Sequence, residues 1–193
     1  MNVIDISREL FQSSVYPGDP KPGKIPFLSI EKGDICNLTI LSMGSHTGTH
    51  LDAPSHFYKN GKSMEKLDLV KCVGECKVVC LTGKITNEVM TKALQDGTKR
   101  LLIKGNVEFT LEAAQVCSKM QTFLIGVESQ TVGIEGTQVP IHRELLGNEI
   151  VILEGLVLDH VMEGQYILAA QPLKMEGLDG SPVRAVLMEI EKN

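Results

Sequence analysis

Three histidines and one aspartate fall within eleven residues, His46-Thr47-Gly48-Thr49-His50-Leu51-Asp52-Ala53-Pro54-Ser55-His56. Imidazole nitrogen and carboxylate oxygen together suit zinc or a similar first-row divalent ion. Such an ion brings the ionisation of a bound water close to neutral pH and polarises a carbonyl, which is chemistry for hydrolysis. Such hydrolysis also needs a group that takes a proton from water and returns it to the leaving group. Histidine titrates in the range for that task, and His56, last in the segment, is the natural candidate. A lone histidine in a polar loop would be read as making local hydrogen bonds. Three of them with an aspartate, on alternate positions around a glycine, point to a site.

The backbone must bring these side chains together. A helix is a poor answer, because Thr47, Gly48, Thr49 and Pro54 disfavour it and Asp52 and His56 would point well away from His46. In an extended chain the even-numbered positions share one face, but a straight strand sets His46 and His50 about 13 Å apart. A bend at Gly48 is therefore expected, with a strand ending near His46 and a tight loop carrying His50, Asp52 and His56.

A second segment, from Pro140 to Gly155, offers His142 near the start of a short helix and Glu154 at the end of an apolar strand. The Gly147-Asn148 turn would let the two approach. On its own this segment reads more readily as a surface histidine and a strand-end glutamate than as a ligand pair. His160 and Arg184 read as structural. No Gly-x-Ser-x-Gly elbow is present, so no serine nucleophile is indicated. Cys72, Cys76 and Cys80 repeat every four residues, but in a strand they stand about 13 Å apart, too far for one ion. They are expected to be buried, reduced thiols.

The elements that must hold these residues are mostly strands. Strand-like runs are Asn2–Ser7, Phe27–Glu31, Asn37–Met43, Glu75–Leu81, Arg100–Lys104, Thr122–Val127, Glu149–Glu154, Tyr166–Ala170 and Val183–Ile190. Helices are expected at Thr86–Gln95, Leu111–Met120 and Ile141–Leu146. The interspersion implies an α/β domain with mixed sheets and a few helices, and with no linker in view residues 1–193 read as one domain. Lys plus Arg number 19 against 24 Asp plus Glu, for a net charge of −5. No basic cluster suggests nucleic acid, no apolar run is long enough to span a membrane, and no secretory signal is apparent. A cytoplasmic protein with a small-molecule substrate is the expectation.

His46 to Phe57 resembles the His-x-Gly-Thr-His-x-Asp-x-Pro-x-His-Phe motif of the cyclase-like metal-dependent hydrolases, a family that includes bacterial kynurenine formamidases and isatin hydrolases. Tyr16-Pro17-Gly18-Asp19 is similar to the loop bordering that family's active site. Gly177-Leu178-Asp179-Gly180-Ser181-Pro182-Val183-Arg184-Ala185 is similar to its closing segment, where mostly structural roles are expected. The resemblance implies a swivelling β/β/α fold, assembled as a homodimer or homotetramer. It implies two divalent ions, Zn²⁺ or Mn²⁺. One would be held by His46, His50 and Asp52, and the other by the shared Asp52 with His142 and Glu154. His56 would be the catalytic proton shuttle, and Tyr16 and Phe57 would face the substrate. The activity implied is hydrolysis of an arylformamide, N-formylkynurenine first, by metal-bound hydroxide.

The sequence departs from the formamidase pattern in places. Tyr16 stands where a tryptophan is usual, Gly105–Phe109 is short, and Glu128 replaces an aspartate in a run whose proline and second aspartate are missing. Ring-opening of a cyclic amide such as isatin would use the same residues. A non-catalytic metal- or metabolite-binding protein is the alternative of a different class.

Overall fold

The computed structural model describes residues 2–189. In chain order the strands are β1 (Val3–Asp5), β2 (Gly23–Leu28), β3 (Leu38–Ser42), β4 (His50–Asp52), β5 (Val73–Cys80), β6 (Gly83–Ile85), β7 (Arg100–Lys104), β8 (Val107–Phe109), β9 (Leu124–Val127), β10 (Val151–Glu154), β11 (Gly164–Ala169), β12 (Gly180–Pro182) and β13 (Val186–Glu189). The helices are α1 (Asn87–Leu94), α2 (Leu111–Lys119) and α3 (Gln138–Gly147).

Nine strands form one mixed sheet in the order β1-β13-β11-β5-β7-β9-β10-β4-β12. Its centre, β5-β7-β9-β10, is parallel. There β7, β9 and β10 are almost continuous apolar runs, as strands covered on both faces should be. Alternate residues divide between two cores. Leu101, Ile125 and Ile152 pack under the helices with Met90, Ala114 and Ile141. Leu102, Leu124 and Leu153 face the other way, with Leu51, Ile6 and Leu187. Thr86 and Thr110 cap α1 and α2 by accepting from the Val89 and Ala113 amides, each a contribution of about 1 kcal/mol. Those two helices fall within a residue or two of expectation.

The differences have local causes. The third helix begins at Gln138 rather than Ile141, because Pro140 sits in its first turn, where no amide is needed. The run Phe27–Glu31 is not one strand. The strand is Gly23–Leu28, and Ile30–Lys32 forms a 3-10 turn. There Asp34 and Asn37 accept from the Ser29 and Ile30 amides, which takes those amides out of the ladder. The preceding strand ends at Ser42, short of His46. His50–Asp52 is a strand instead of a loop, paired on one side with β10 and on the other with β12. Strands β6, β8 and β12 lie outside the runs expected. Cys72 and Cys76 are buried, but Cys80 is exposed where β5 ends. Ile190, placed at the end of the last expected strand, lies outside the described residues. Among the described residues, no helix is long and apolar enough to cross a membrane.

Candidate metal centre

The pairing of β4 with β10 sets His50 opposite Glu154 and Asp52 opposite Ile152. Ile152 belongs to the core under the helices, so strand alternation turns His50, Asp52 and Glu154 to that face and Leu51 to the other. Helix α3 lies above and brings His142, whose Nε2 is 3.4 Å from Glu154 Oε1 and 3.5 Å from Asp52 Oδ2. His50 Nε2 is 3.2 Å from Glu154 Oε2 and 3.4 Å from Asp52 Oδ1. All four side chains are buried.

The loop before β4 bends at Gly48, which has φ 69°. Gly155 makes room for it, since a Cβ there would lie 2.5 Å from the Gly48 carbonyl oxygen. Thr49 Oγ1 donates to the Gly155 carbonyl at 2.6 Å and accepts from the Arg8 amide at 2.8 Å, fastening the bend. The result is a His46–His50 ring separation of 5.1 Å, well short of the straight-strand distance. His46 Nδ1 lies 2.8 Å from Asp52 Oδ1, and its Nε2 lies 3.0 Å from Asp179 Oδ2. The 3-10 turn Pro54–His56 then sets the His56 ring 4.0 Å from that of His46. His56 Nδ1 is 3.4 Å from Asp179 Oδ2. Phe57 stacks on His142 at 4.7 Å and meets His56 edge-on at 4.6 Å.

Two histidines have their tautomer fixed by the backbone. His50 Nδ1 donates to the Gly48 carbonyl at 3.0 Å, and His142 Nδ1 donates to the Gln138 carbonyl at 2.8 Å. Each is left with Nε2 aimed at the carboxylates, the arrangement that orients metal-binding imidazoles. Without an ion these Nε2 atoms are driven to hold protons. Burial is the largest influence and opposes the charge, but hydrogen bonds and charge from Asp52 and Glu154 outweigh it and raise both histidines to about 10. His46 is also raised, with burial again outweighed by Asp52. Burial would lift the acids, and at Glu154 the charge of Asp52 adds to this; the imidazoles hold both carboxyls below their ordinary range. His56 is lowered, first by burial, with the charges of His46 and His142 adding to it.

The cluster suits a cation. Asp52 Oδ2 is buried with no hydrogen bond of good geometry, His142 Nε2 standing off at 3.5 Å, a costly state that a metal–oxygen bond would relieve. Two groups of ligand atoms lie within 4.8 Å of one another: His46, Asp52 and His56, and His50, Asp52 and Glu154. Asp52 is common to both. His50 groups with Glu154, because β4 sets it directly opposite that residue.

The site opens into a cleft of about 500 Å³ whose wall includes Tyr16, Phe57, Gln130, Thr131 and Val139. Asp179 also lines it. Sequence reasoning missed Asp179, because Asp-Gly-Ser-Pro carries an ordinary turn signal. Gly180 beside it is held to glycine by the His46 ring, which a Cβ would meet at 2.5 Å. Glu128 is a tether away from the cluster, accepting from the Gly105 and Leu158 amides at 2.6 and 2.9 Å. Arg184 pairs with Asp5 at 2.9 Å.

Both the sequence and the fold have counterparts among known proteins. The Cyclase family model matches residues 4–100. The kynurenine formamidase of Geobacillus thermodenitrificans (strain NG80-2) is 39% identical over 204 residues, covering 97% of this chain and 97% of its own. That of Bacillus thuringiensis subsp. konkukian (strain 97-27) is 35% identical with the same coverage. A solved structure described as a potential metal-dependent hydrolase with cyclase activity has a TM-score of 0.83 at 27% identity, covering 99% of both chains. Isatin hydrolase A from Labrenzia aggregata has a TM-score of 0.84 at 21% identity, covering 98% of this chain and 94% of its own, a likeness of fold. The chain belongs to the cyclase family.

Proposed function

We propose that the protein is a metal-dependent hydrolase of a small amide, specifically an arylformamidase acting on N-formylkynurenine. The observation that carries this reading is the convergence of His46, His50, Asp52, His142 and Glu154 beneath a cleft that His56 also lines. The near full-length likeness to two kynurenine formamidases supports the substrate. The five residues would hold one or two divalent ions, Zn²⁺ or Mn²⁺, with Asp52 shared. A metal held there supplies an acidified water and polarises the formyl oxygen.

The chain's own residues do the rest. His56 accepts a proton from the attacking water and delivers it to the nitrogen as the carbon–nitrogen bond breaks, releasing formate and the aryl amine. Its lowered pKa favours the neutral, proton-accepting form at pH 7. Asp179, 3.0 Å from His46 Nε2 and 3.4 Å from His56 Nδ1, orients both rings. Tyr16 and Phe57 offer ring surface, and Val139 apolar surface, to the aryl group.

The test is hydrolysis of N-formylkynurenine by the purified protein supplied with Zn²⁺ or Mn²⁺, against a chelated control. Rapid metal-dependent turnover is the expected result. No turnover with metal bound overturns the formamidase reading, and ring-opening of isatin is then the reaction to measure.

A further inference from the structure

Residues 14–22 carry Tyr16 along the cleft and belong to no helix or strand. Tyr16, Asp19 and Pro20 line the cleft, yet little holds their segment down. None of residues 14–22 is buried. They lead into β2, which pairs with β3 in a two-stranded ribbon apart from the main sheet, so that sheet gives them no anchor. Within the segment the Asp19 amide donates to the Tyr16 carbonyl at 3.0 Å, a bond that shapes a turn without fastening it to anything. Among the described residues, one hydrogen bond joins the segment to a distant part of the chain. Gln130 Nε2 donates to the Ser14 carbonyl at 2.8 Å. A carbonyl can only accept, so the orientation of the Gln130 amide is settled by its partner. Gln130 itself stands on a fixed base. The Ser129 carbonyl before it accepts from the Gly155 amide at 2.9 Å. The Val132 amide after it donates to Glu154 Oε1 at 2.7 Å. Ser129 Oγ closes the turn on the Thr131 carbonyl at 2.8 Å, and Val132 is fully buried.

We propose that Gln130 is the specificity-determining tether of the cleft, holding the Tyr16 segment in place against the bound aryl group. The inference rests on the reading that this cleft takes an aryl amide. The sequence leaves the formamidase pattern at Tyr16 and again in the run that contains Gln130, and the structure joins the two departures. The direction of the constraint follows from the two ends. A turn pinned to Glu154 and Gly155 reaches a segment that is otherwise free, so the turn positions the wall and not the reverse. One such hydrogen bond biases held against free by about 2- to 10-fold. A wall that is in place only part of the time weakens substrate binding by that fraction. Attack on a substrate already bound at the metal is untouched, because the Val132 bond to Glu154 does not pass through the Gln130 side chain. The tether therefore acts on KM and leaves kcat nearly alone.

Gln130→Met, which keeps the side chain's length and removes its donor, tests this in the metal-loaded full chain. Nitrogen-15 relaxation should show the backbone order parameters of residues 14–19 falling from about 0.8 to below about 0.6. KM for N-formylkynurenine should rise about 3- to 10-fold with kcat within about twofold of wild type, and metal content should not change. Gln130→Lys, which restores a donor of similar reach, should recover both the order parameters and KM. Order parameters that do not move in Gln130→Met overturn the inference. A kcat that falls while KM holds also overturns it, because Gln130 would then act in the chemistry. So does a loss of metal, which would mean that Gln130 acts through Glu154. A wild type that binds metal and turns over no N-formylkynurenine counts against the formamidase reading alone. The relaxation measurement, which needs no substrate, then decides the tether by itself.

Discussion

Among the described residues, two groupings of histidine with carboxylate stand out, and they differ in almost everything except residue type. At the cleft, the His50, His142, Asp52 and Glu154 side chains are between 1% and 4% exposed. On the surface, the side chains of His160 and Asp159 are 46% and 82% exposed, with Nδ1 and Oδ1 3.0 Å apart. His160 is satisfied from both sides, since its Nε2 also lies 3.0 Å from the Asp5 carbonyl oxygen. Water screens that pair and solvates whatever it leaves unbonded, so nothing there calls for a metal. In the buried group the side chains are shielded from solvent, and Asp52 Oδ2 makes no well-formed hydrogen bond. Burial, not the presence of imidazole beside carboxylate, is what makes the first grouping suited to a cation.

The largest effect should follow from attacking the atom on which that contrast rests. Asp52→Asn removes the charge common to both ligand groups and should empty the site, as metal analysis of the purified variant would record. Turnover should fall by more than the 10- to 100-fold that loss of a supporting hydrogen bond costs, on the order of 10³-fold. Full metal content in the variant would show that the buried acids are not what holds the ion. The same contrast has a proton signature. In the metal-free protein His50 and His142 are raised to about 10, so both carry protons at pH 7. Metal uptake must displace those protons, and affinity should fall as pH falls. Calorimetric titration in buffers of different ionisation enthalpy should register about two protons or more released per chain. Zero release would mean the imidazoles are already neutral.

His56→Ala probes the edge of the buried group. His56 is 29% exposed, and as a proton carrier its loss should lower kcat by about 10²–10⁴-fold with metal content unchanged. Its place within reach of His46 and Asp52 makes the opposite outcome informative. Loss of metal would make His56 a ligand.

How much of this could be read from the chain depends on how local the cause is. The bend at Gly48 was legible, because the distance between His46 and His50 in a straight strand demands it. Helix caps at Thr86 and Thr110 were legible for the same reason. That His50–Asp52 is a strand was not, since both its partners, Val151–Glu154 and Gly180–Pro182, come from about a hundred residues or more further along. The apolar alternation in Asn37–Met43 announced a strand, but nothing in it said that the strand would stand outside the main sheet. Asp179 was hidden by its neighbours, because a turn signal gives no hint of what the turn's carboxylate will face.

Asp179→Asn sharpens the comparison from the half-exposed side of the site. The carboxylate, 43% exposed, reaches His46 and His56 with the same oxygen. The amide keeps the shape but changes which ring nitrogen is held protonated, so kcat should fall about 10- to 100-fold while KM changes little. Nitrogen-15 shifts of the His46 and His56 rings in the metal-free variant provide a readout separate from turnover, and should show an altered tautomer. Unchanged shifts would mean that Asp179 does not position these rings.

The smallest effect belongs to the surface pair. His160 is raised chiefly by its hydrogen bond to Asp159, with burial acting weakly against it. A folded-state pKa above the unfolded value means that the contact stabilises fully below about 6.5 and fades as pH rises through the raised folded value. His160→Ala should therefore lower Tm by no more than about 3 °C in mildly acidic buffer, as exposed pairs contribute little. The difference from wild type should close as the buffer is made alkaline, and metal content and turnover should not change. A deficit that widens with pH would show that His160 is held by packing rather than by charge. A loss of metal would erase the distinction between the two groupings, because the surface histidine would then be acting on the buried one.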